Sequence, residues 1–203
     1  LDNLDYHLIL SLIDKDVYEN LHIIQSYSIM DYSLSGKDLM EFCSGRAKIV
    51  TYPDLQSYKD IDELLKPHGV VFLLYEFKRF YGHWTLIYRR DDGGIECFDS
   101  YSYKPDEEFT FIPEYFRAIN DMVYPRLTKM LLDSNKDIHY NNFKLQRESN
   151  NIATCGRWCL VRLLFKHMDI DKFYKMMKFI RAKTGLSFDE IVFHMTDEFP
   201  KQE

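Results

Sequence analysis

The longest unbroken apolar run in the chain is Val70 to Tyr75, followed by Glu76 and Phe77 and bounded by Pro67, Gly69 and Lys78. A short, all-round apolar run between breakers predicts a strand covered on both faces. His83 to Arg89 and Ile95 to Tyr101 also read as strands. Asp91-Asp92-Gly93-Gly94 between them supplies turn chemistry, so the pair predicts a hairpin. Ala47 to Thr51 and Ile138 to Leu145 are further strand candidates. Helical spacing is found at Leu8 to Ile24, Lys37 to Phe42 and Ile61 to Leu65, and over 113–133, where Pro125 should bend or interrupt it. After Cys155 the segment Trp158 to Phe165 is apolar on nearly all sides, as a helix inside the protein would be. Two more helices are expected near 171–183 and 187–195, the second opened by Ser187 and Glu190 at capping-box spacing.

Strands in the middle with helices at both ends predict an α+β fold rather than a regular βαβ alternation. No repeat, low-complexity stretch or linker divides the chain. The 203 residues therefore read as one domain: mainly helical over 1–66, a core over 67–165 and closing helices over 166–203. A composition 46% apolar and 16% aromatic can build a core without a disulfide or metal staple and excludes disordered or collagen-like chains. The longest apolar run is far short of the roughly 20 residues needed to cross a bilayer. No secretory signal is read either, so no membrane partner is expected. Cys43, Cys97, Cys155 and Cys159 are few and irregularly spaced, which favours reduced thiols over a disulfide framework. The net charge of −6 counts against an unaided nucleic-acid binder. It is uneven, net −6 over 1–66 and net +3 over 111–203. Lys172, Lys175, Lys178 and Arg181 recur every three residues and read as a solvated helix face.

Two stretches carry candidate chemistry. In a strand Ile95, Cys97 and Asp99 share a face, which sets the Asp99 carboxylate at the margin of a buried surface, where it needs a partner. Folding the hairpin brings His83, at the start of one strand, to the same end as Asp99, at the end of the other. Their faces agree only if odd residues pair with odd. An Asp that holds a His is the orienting half of a catalytic triad. The second stretch is Asn150-Asn151-Ile152-Ala153-Thr154-Cys155-Gly156-Arg157-Trp158-Cys159, a polar loop running into the buried helix. Cys155 then lies at a helix N-terminus, whose unpaired N–H groups favour a thiolate and can hold an oxyanion. Gly156 removes a side chain where a substrate backbone would approach, and Gln146 can supply a further N–H. Cys159, one turn beyond Cys155, finds no second ligand pair with zinc spacing, so no metal is expected, and Cys43 and Cys97 read as packing residues.

Tyr81-Gly82-His83-Trp84, Phe98-Asp99-Ser100-Tyr101, Gln146 and Thr154-Cys155-Gly156-Arg157-Trp158, in that order, resemble the adenain/SUMO-protease superfamily of cysteine peptidases. The viral branch is the nearest in flavour: the maturation proteases of large DNA viruses, virophages and polinton-type elements. Tyr52-Pro53-Asp54-Leu55 and the Cys-Gly-Arg-Trp string are similar to the last group. Cellular members usually carry Asp before the nucleophile, where Thr154 stands here. The resemblance implies a papain-like α+β fold, with the nucleophile on a buried helix and His and Asp on a central mixed sheet. It implies Cys155 as nucleophile, His83 as general base then acid, Asp99 as its orienter and Gln146 as oxyanion donor. Trp84 would roof a narrow cleft favouring Gly-Gly-like sites. The gap from Gln146 to Cys155 is longer than in relatives, which leaves Asn150 or Asn151 as alternative donors. The implied activity is an endopeptidase without cofactor. Its partners would be capsid or other structural precursors, in the host cytoplasm or virus factory and the virion. The acidic net charge gives no support for a peptide or nucleic-acid activator of the kind adenovirus endopeptidase uses. Two rivals remain: an isopeptidase acting on ubiquitin-like conjugates, and an inert interaction scaffold.

Overall fold

Strands β1 (Lys48–Thr51), β2 (Val70–Lys78), β3 (Tyr81–Arg89), β4 (Ile95–Phe98) and β5 (Ile138–Tyr140) form one mixed sheet, paired in chain order. The outer pairs β1/β2 and β4/β5 are parallel and the inner pairs are antiparallel. The structure is a computed structural model that describes residues 33–78, 81–149 and 152–196. The helix expected over Leu8 to Ile24, and Asn150 and Asn151, lie outside those residues.

The unbroken apolar run of β2 has the cause inferred from the sequence: both faces of the sheet are covered. Val70, Phe72 and Leu74 enter one core with Leu86 and Tyr88. Val71, Leu73 and Tyr75 enter the other with Ile87, Ile95 and Cys97. The first core is closed by α1 (Gly36–Phe42), α5 (Cys155–Leu164), α6 (Ile170–Thr184) and α7 (Phe188–Thr196). The second lies under the 3-10 turn Tyr52–Ser57, α2 (Ile61–Leu64), α3 (Glu114–Ile119) and α4 (Arg126–Asp133). Helix α1 opens with a capping box between Ser35 and Asp38. Ahead of α7, the Ser187 N–H donates to Glu190 and the Glu190 N–H to the Ser187 hydroxyl, as their spacing predicts. Lys172, Lys175, Lys178 and Arg181 are all exposed on α6.

Three expected elements are shorter or divided. The helical pattern over 113–133 becomes two helices: α3 already ends at Ile119, Asp121 turns the chain with a φ of 54°, and Pro125 stands just before α4 as its N-cap. The strand expected to Tyr101 stops at Phe98, and the one expected to Leu145 stops at Tyr140. Both end at the same polar lock. The Asn141 side chain accepts from the Asp99 N–H at 3.0 Å and donates to the Asp99 carbonyl at 2.5 Å, replacing a ladder partner with an amide.

Candidate functional site

His83 lies beside a defect in the sheet. The β2/β3 register shifts between Glu76 and Lys78, and Gly82 lies in that bulge. A Cβ on Gly82 would fall 2.2 Å from the Tyr75 carbonyl oxygen, so only glycine allows the backbones this close. The β3/β4 register pairs Ile87 with Cys97 and Arg89 with Ile95, odd with odd. His83 and Asp99 therefore share a face, and His83 Nε2 lies 2.9 Å from Asp99 Oδ2. The other carboxylate oxygen accepts the Tyr101 N–H at 2.7 Å. The Tyr101 ring stacks on the imidazole at 4.9 Å between centroids. Asp99 is thus held by Asn141 through its backbone and by Tyr101 and His83 through its side chain.

Cys155 arrives from the opposite face. It is the first residue of α5, which packs on the Trp84 side of β3, and its thiol lies near enough to the His83 side chain to raise the imidazole's pKa. With Nε2 engaged by Asp99, Nδ1 is the ring nitrogen left for the thiol. The three groups meet at the end of the sheet where β3 begins and α5 starts, each under a tenth exposed. The loop into the helix is tied down from behind. Asp189 of α7 accepts from the Thr154 hydroxyl at 2.5 Å, the Trp158 indole N–H at 3.1 Å and the Arg147 N–H at 3.0 Å. With its hydroxyl turned to Asp189, Thr154 makes no side-chain cap on α5.

Gln146 joins the two halves. Its Oε1 accepts from the Ser100 hydroxyl at 2.7 Å, next to Asp99. Its Nε2 donates to the Ile152 carbonyl at 3.4 Å, three residues before Cys155. Ser100 therefore fixes which way the amide points and turns its N–H side toward the Cys155 loop. Asn150 and Asn151 lie outside the described residues. Trp84 is buried on the face opposite His83, its indole donating to the Leu34 carbonyl at 2.9 Å. The space over Gly156 holds this chain's own side chains: a Cβ there would meet Leu34 Cβ at 3.2 Å and Trp84 Cδ1 at 3.4 Å. Leu34 lies over both residues, so here they pack against the chain rather than line an open cleft.

The electrostatics single out the imidazole. Burial alone would lower its pKa. The Asp99 charge and hydrogen bond, the nearby Cys155 thiol and the Glu108 carboxylate outweigh that and raise it well above the usual value. Burial pushes the Cys43 thiol up to about 11 and raises Cys97 and Cys159 further, as expected of packing cysteines. The Cys159 thiol also donates to the Trp84 carbonyl.

Four participants escaped the sequence reading: Ser100, Asn141, Glu108 and Asp189. Ser100 and Asn141 lie inside the strands expected over Ile95 to Tyr101 and Ile138 to Leu145, where a polar residue is a usable signal that the strand ends early. Glu108, with an oxygen 3.7 Å from His83 Nε2, and Asp189 come from distant segments with no local cue. His83, Asp99 and Glu108 bring ligand-type atoms within 4.8 Å of one another. Nε2 and Oδ2 are already bonded to each other, so the group is a hydrogen-bonded acid–base set.

The chain belongs to the family of the uncharacterized protein V9 of Sputnik virophage. The two are 42% identical over 164 residues, covering 81% of this chain and 94% of that protein. This places the chain in a virophage-related lineage. No family model matches the sequence. Among solved structures, the central domain of the uncharacterized Lpg1148 protein from Legionella pneumophila aligns at 14% identity over 82% of this chain and 86% of that chain. Its TM-score is 0.32, too low to carry an argument. Among the described residues no helix is long and apolar enough to cross a membrane.

Proposed function

We propose that this chain is a cysteine endopeptidase with an adenain-like, papain-like catalytic arrangement, acting on structural precursor proteins during virion maturation. One observation carries the reading: a buried imidazole held between a fully oriented carboxylate, Asp99, and a thiol at the first residue of a buried helix, Cys155. The virophage lineage supplies the biological setting.

The steps follow from the groups present. His83 takes the Cys155 proton, and the resulting imidazolium is stabilised by Asp99. The thiolate attacks the scissile carbonyl carbon. The oxyanion that forms is held by the Cys155 backbone N–H and the Gln146 side-chain N–H, an amide already oriented by Ser100. The imidazolium then gives its proton to the leaving amine, the C–N bond breaks, and a thioester remains on Cys155. A water loses a proton to His83 and attacks the thioester. Collapse of that second intermediate returns the proton to the sulfur and releases the new carboxylate.

The test offers the purified chain Gly-Gly-X precursor peptides and ubiquitin-like conjugates side by side, with the Cys155→Ala variant as control. Cleavage of the precursor peptides that vanishes in the variant is the expected result. Cleavage of the conjugates alone moves the activity to an isopeptidase, and cleavage that survives Cys155→Ala removes the thiol mechanism.

A further inference from the structure

Behind the imidazole lies a second carboxylate that the steps above leave without a role. Glu108 lies in the 3-10 turn Glu107–Thr110, and the turn is pinned in place. The Asp106 carboxylate accepts from the Tyr75 hydroxyl of β2 at 3.4 Å and from the Thr128 N–H of α4 at 2.8 Å. The Glu108 side chain is only 9% exposed, with Oε1 3.7 Å from His83 Nε2. That oxygen is buried and has no hydrogen-bond partner. Carboxylate oxygens of Glu108 and Asp99 lie within 4.8 Å of each other. The titratable groups around it are Tyr75, His83, Asp99, Tyr101 and Tyr103. Lys104 and Cys97 line the small cavity it shares with Asp99.

A buried carboxylate without a donor is costly, and two adjoining carboxylates do not both ionise readily unless a cation faces them. We propose that Glu108 is a positioning residue that acts through Asp99. While protonated it donates to Asp99 and divides that carboxylate between two donors. When it releases its proton to solvent, His83 becomes the only side-chain donor to Asp99, and two negative charges face the imidazolium. Glu108 thereby sets how firmly His83 keeps the proton it takes from Cys155. Burial first, and then Asp99, raise the Glu108 pKa to about 7, with His83 opposing them. The exchange therefore falls near neutral pH.

The role rests on the peptidase reading for its consequence but is measurable without peptide cleavage. The rate of Cys155 alkylation by iodoacetamide is followed from pH 5 to 9 in the full chain and in Glu108→Gln, whose amide remains a neutral donor at every pH. The two should react alike near pH 5.5. Between pH 7 and 8 the variant should be about tenfold slower, the effect of one unit of pKa. A second measurement needs no variant: the His83 ring carbon resonance of the native protein should show two inflections on pH titration, one near 7. Superimposable alkylation profiles, or a single inflection, would overturn the role of Glu108. A Glu108-dependent profile without any peptide cleavage keeps this inference and removes the peptidase reading. Cleavage with superimposable profiles does the reverse.

Discussion

Two groups of buried charge lie close together at β4, and they are built on opposite principles. Glu96 is fully buried and saturated: it accepts from Arg162 at 2.7 and 2.9 Å and from Arg90 at 3.2 Å. Arg162, equally buried, gives two further donors to the Phe165 and Met168 carbonyls. Three residues on, Asp99 shares one imidazole with Glu108, and one carboxylate oxygen is left without a donor. The first group has a donor for each acceptor and no proton to exchange, so it holds α5 to the sheet. The second has more acceptors than donors, and its protons can move. Buried charge alone does not mark a site; the mismatch does.

The largest expected effect comes from breaking the second group. Asp99→Asn keeps the packing but loses the charge that steadies the imidazolium and favours the other tautomer. Turnover should fall by on the order of 10³–10⁴ with little change in unfolding midpoint. Steady-state kinetics beside a denaturant melt separate the two, and unchanged kinetics would make Asp99 structural. The mirror experiment is Arg162→Met, which strands Glu96 without its main partner. Stability should drop by about 3–5 kcal/mol, and adding Glu96→Leu should restore much of it. A melt that shows no such recovery would mean the pair does more than neutralise itself.

On the proposed mechanism Gln146→Ala removes one oxyanion donor, and it should lower kcat by about 10²–10³ while leaving substrate affinity nearly unchanged. A loss confined to KM would move Gln146 out of the oxyanion hole. Gly82→Ala forces a methyl against the Tyr75 carbonyl and should cost about 1–3 kcal/mol by displacing the bulge, visible as a lowered Tm.

The smallest effect is on the pH dependence of stability. The folded protein raises the pKa of both Glu108 and His83, so between the unfolded and folded values the native state binds more protons than the unfolded chain. The Glu108 contribution is complete below its unfolded pKa, near 4.5, and is lost as pH rises through about 7. The His83 contribution is complete below about 6.5 and lost as pH rises through its elevated value. Stability should therefore decline from mildly acidic toward alkaline pH, and Glu108→Gln should flatten the lower part of that decline. A profile that rises across this window would contradict both shifts.

Much of this arrangement was legible in the residues. The apolar run of β2 announced a doubly covered strand, because alternate side chains point to opposite faces and none can be polar when both are buried. The hairpin turn and the helix after Cys155 were equally local. The lengths of β4 and β5 were not, because Asn141 ends both by bonding across them, a contact between segments more than 40 residues apart. Trp84 and Gly156 show the same limit. The resemblance implied that Trp84 roofs a narrow substrate cleft, and the helix start suggested that Gly156 leaves room for a substrate backbone, but Leu34, 50 residues earlier than Trp84, packs over them.

What the sequence determined by itself is whatever depends on neighbours along the chain: the α+β layout, the helix start at Cys155 and the candidacy of His83, Asp99 and Gln146. What only the tertiary structure decided is every relation that crosses the sheet. The odd-with-odd register puts His83 and Asp99 on one face, and the packing of α5 brings a thiol to the same end of the sheet from the other. Glu108 joins them because Tyr75 and Thr128 pin its turn. Local periodicity decides which face a side chain takes, whereas packing between distant segments decides which groups share a buried volume, and with it where protons reside.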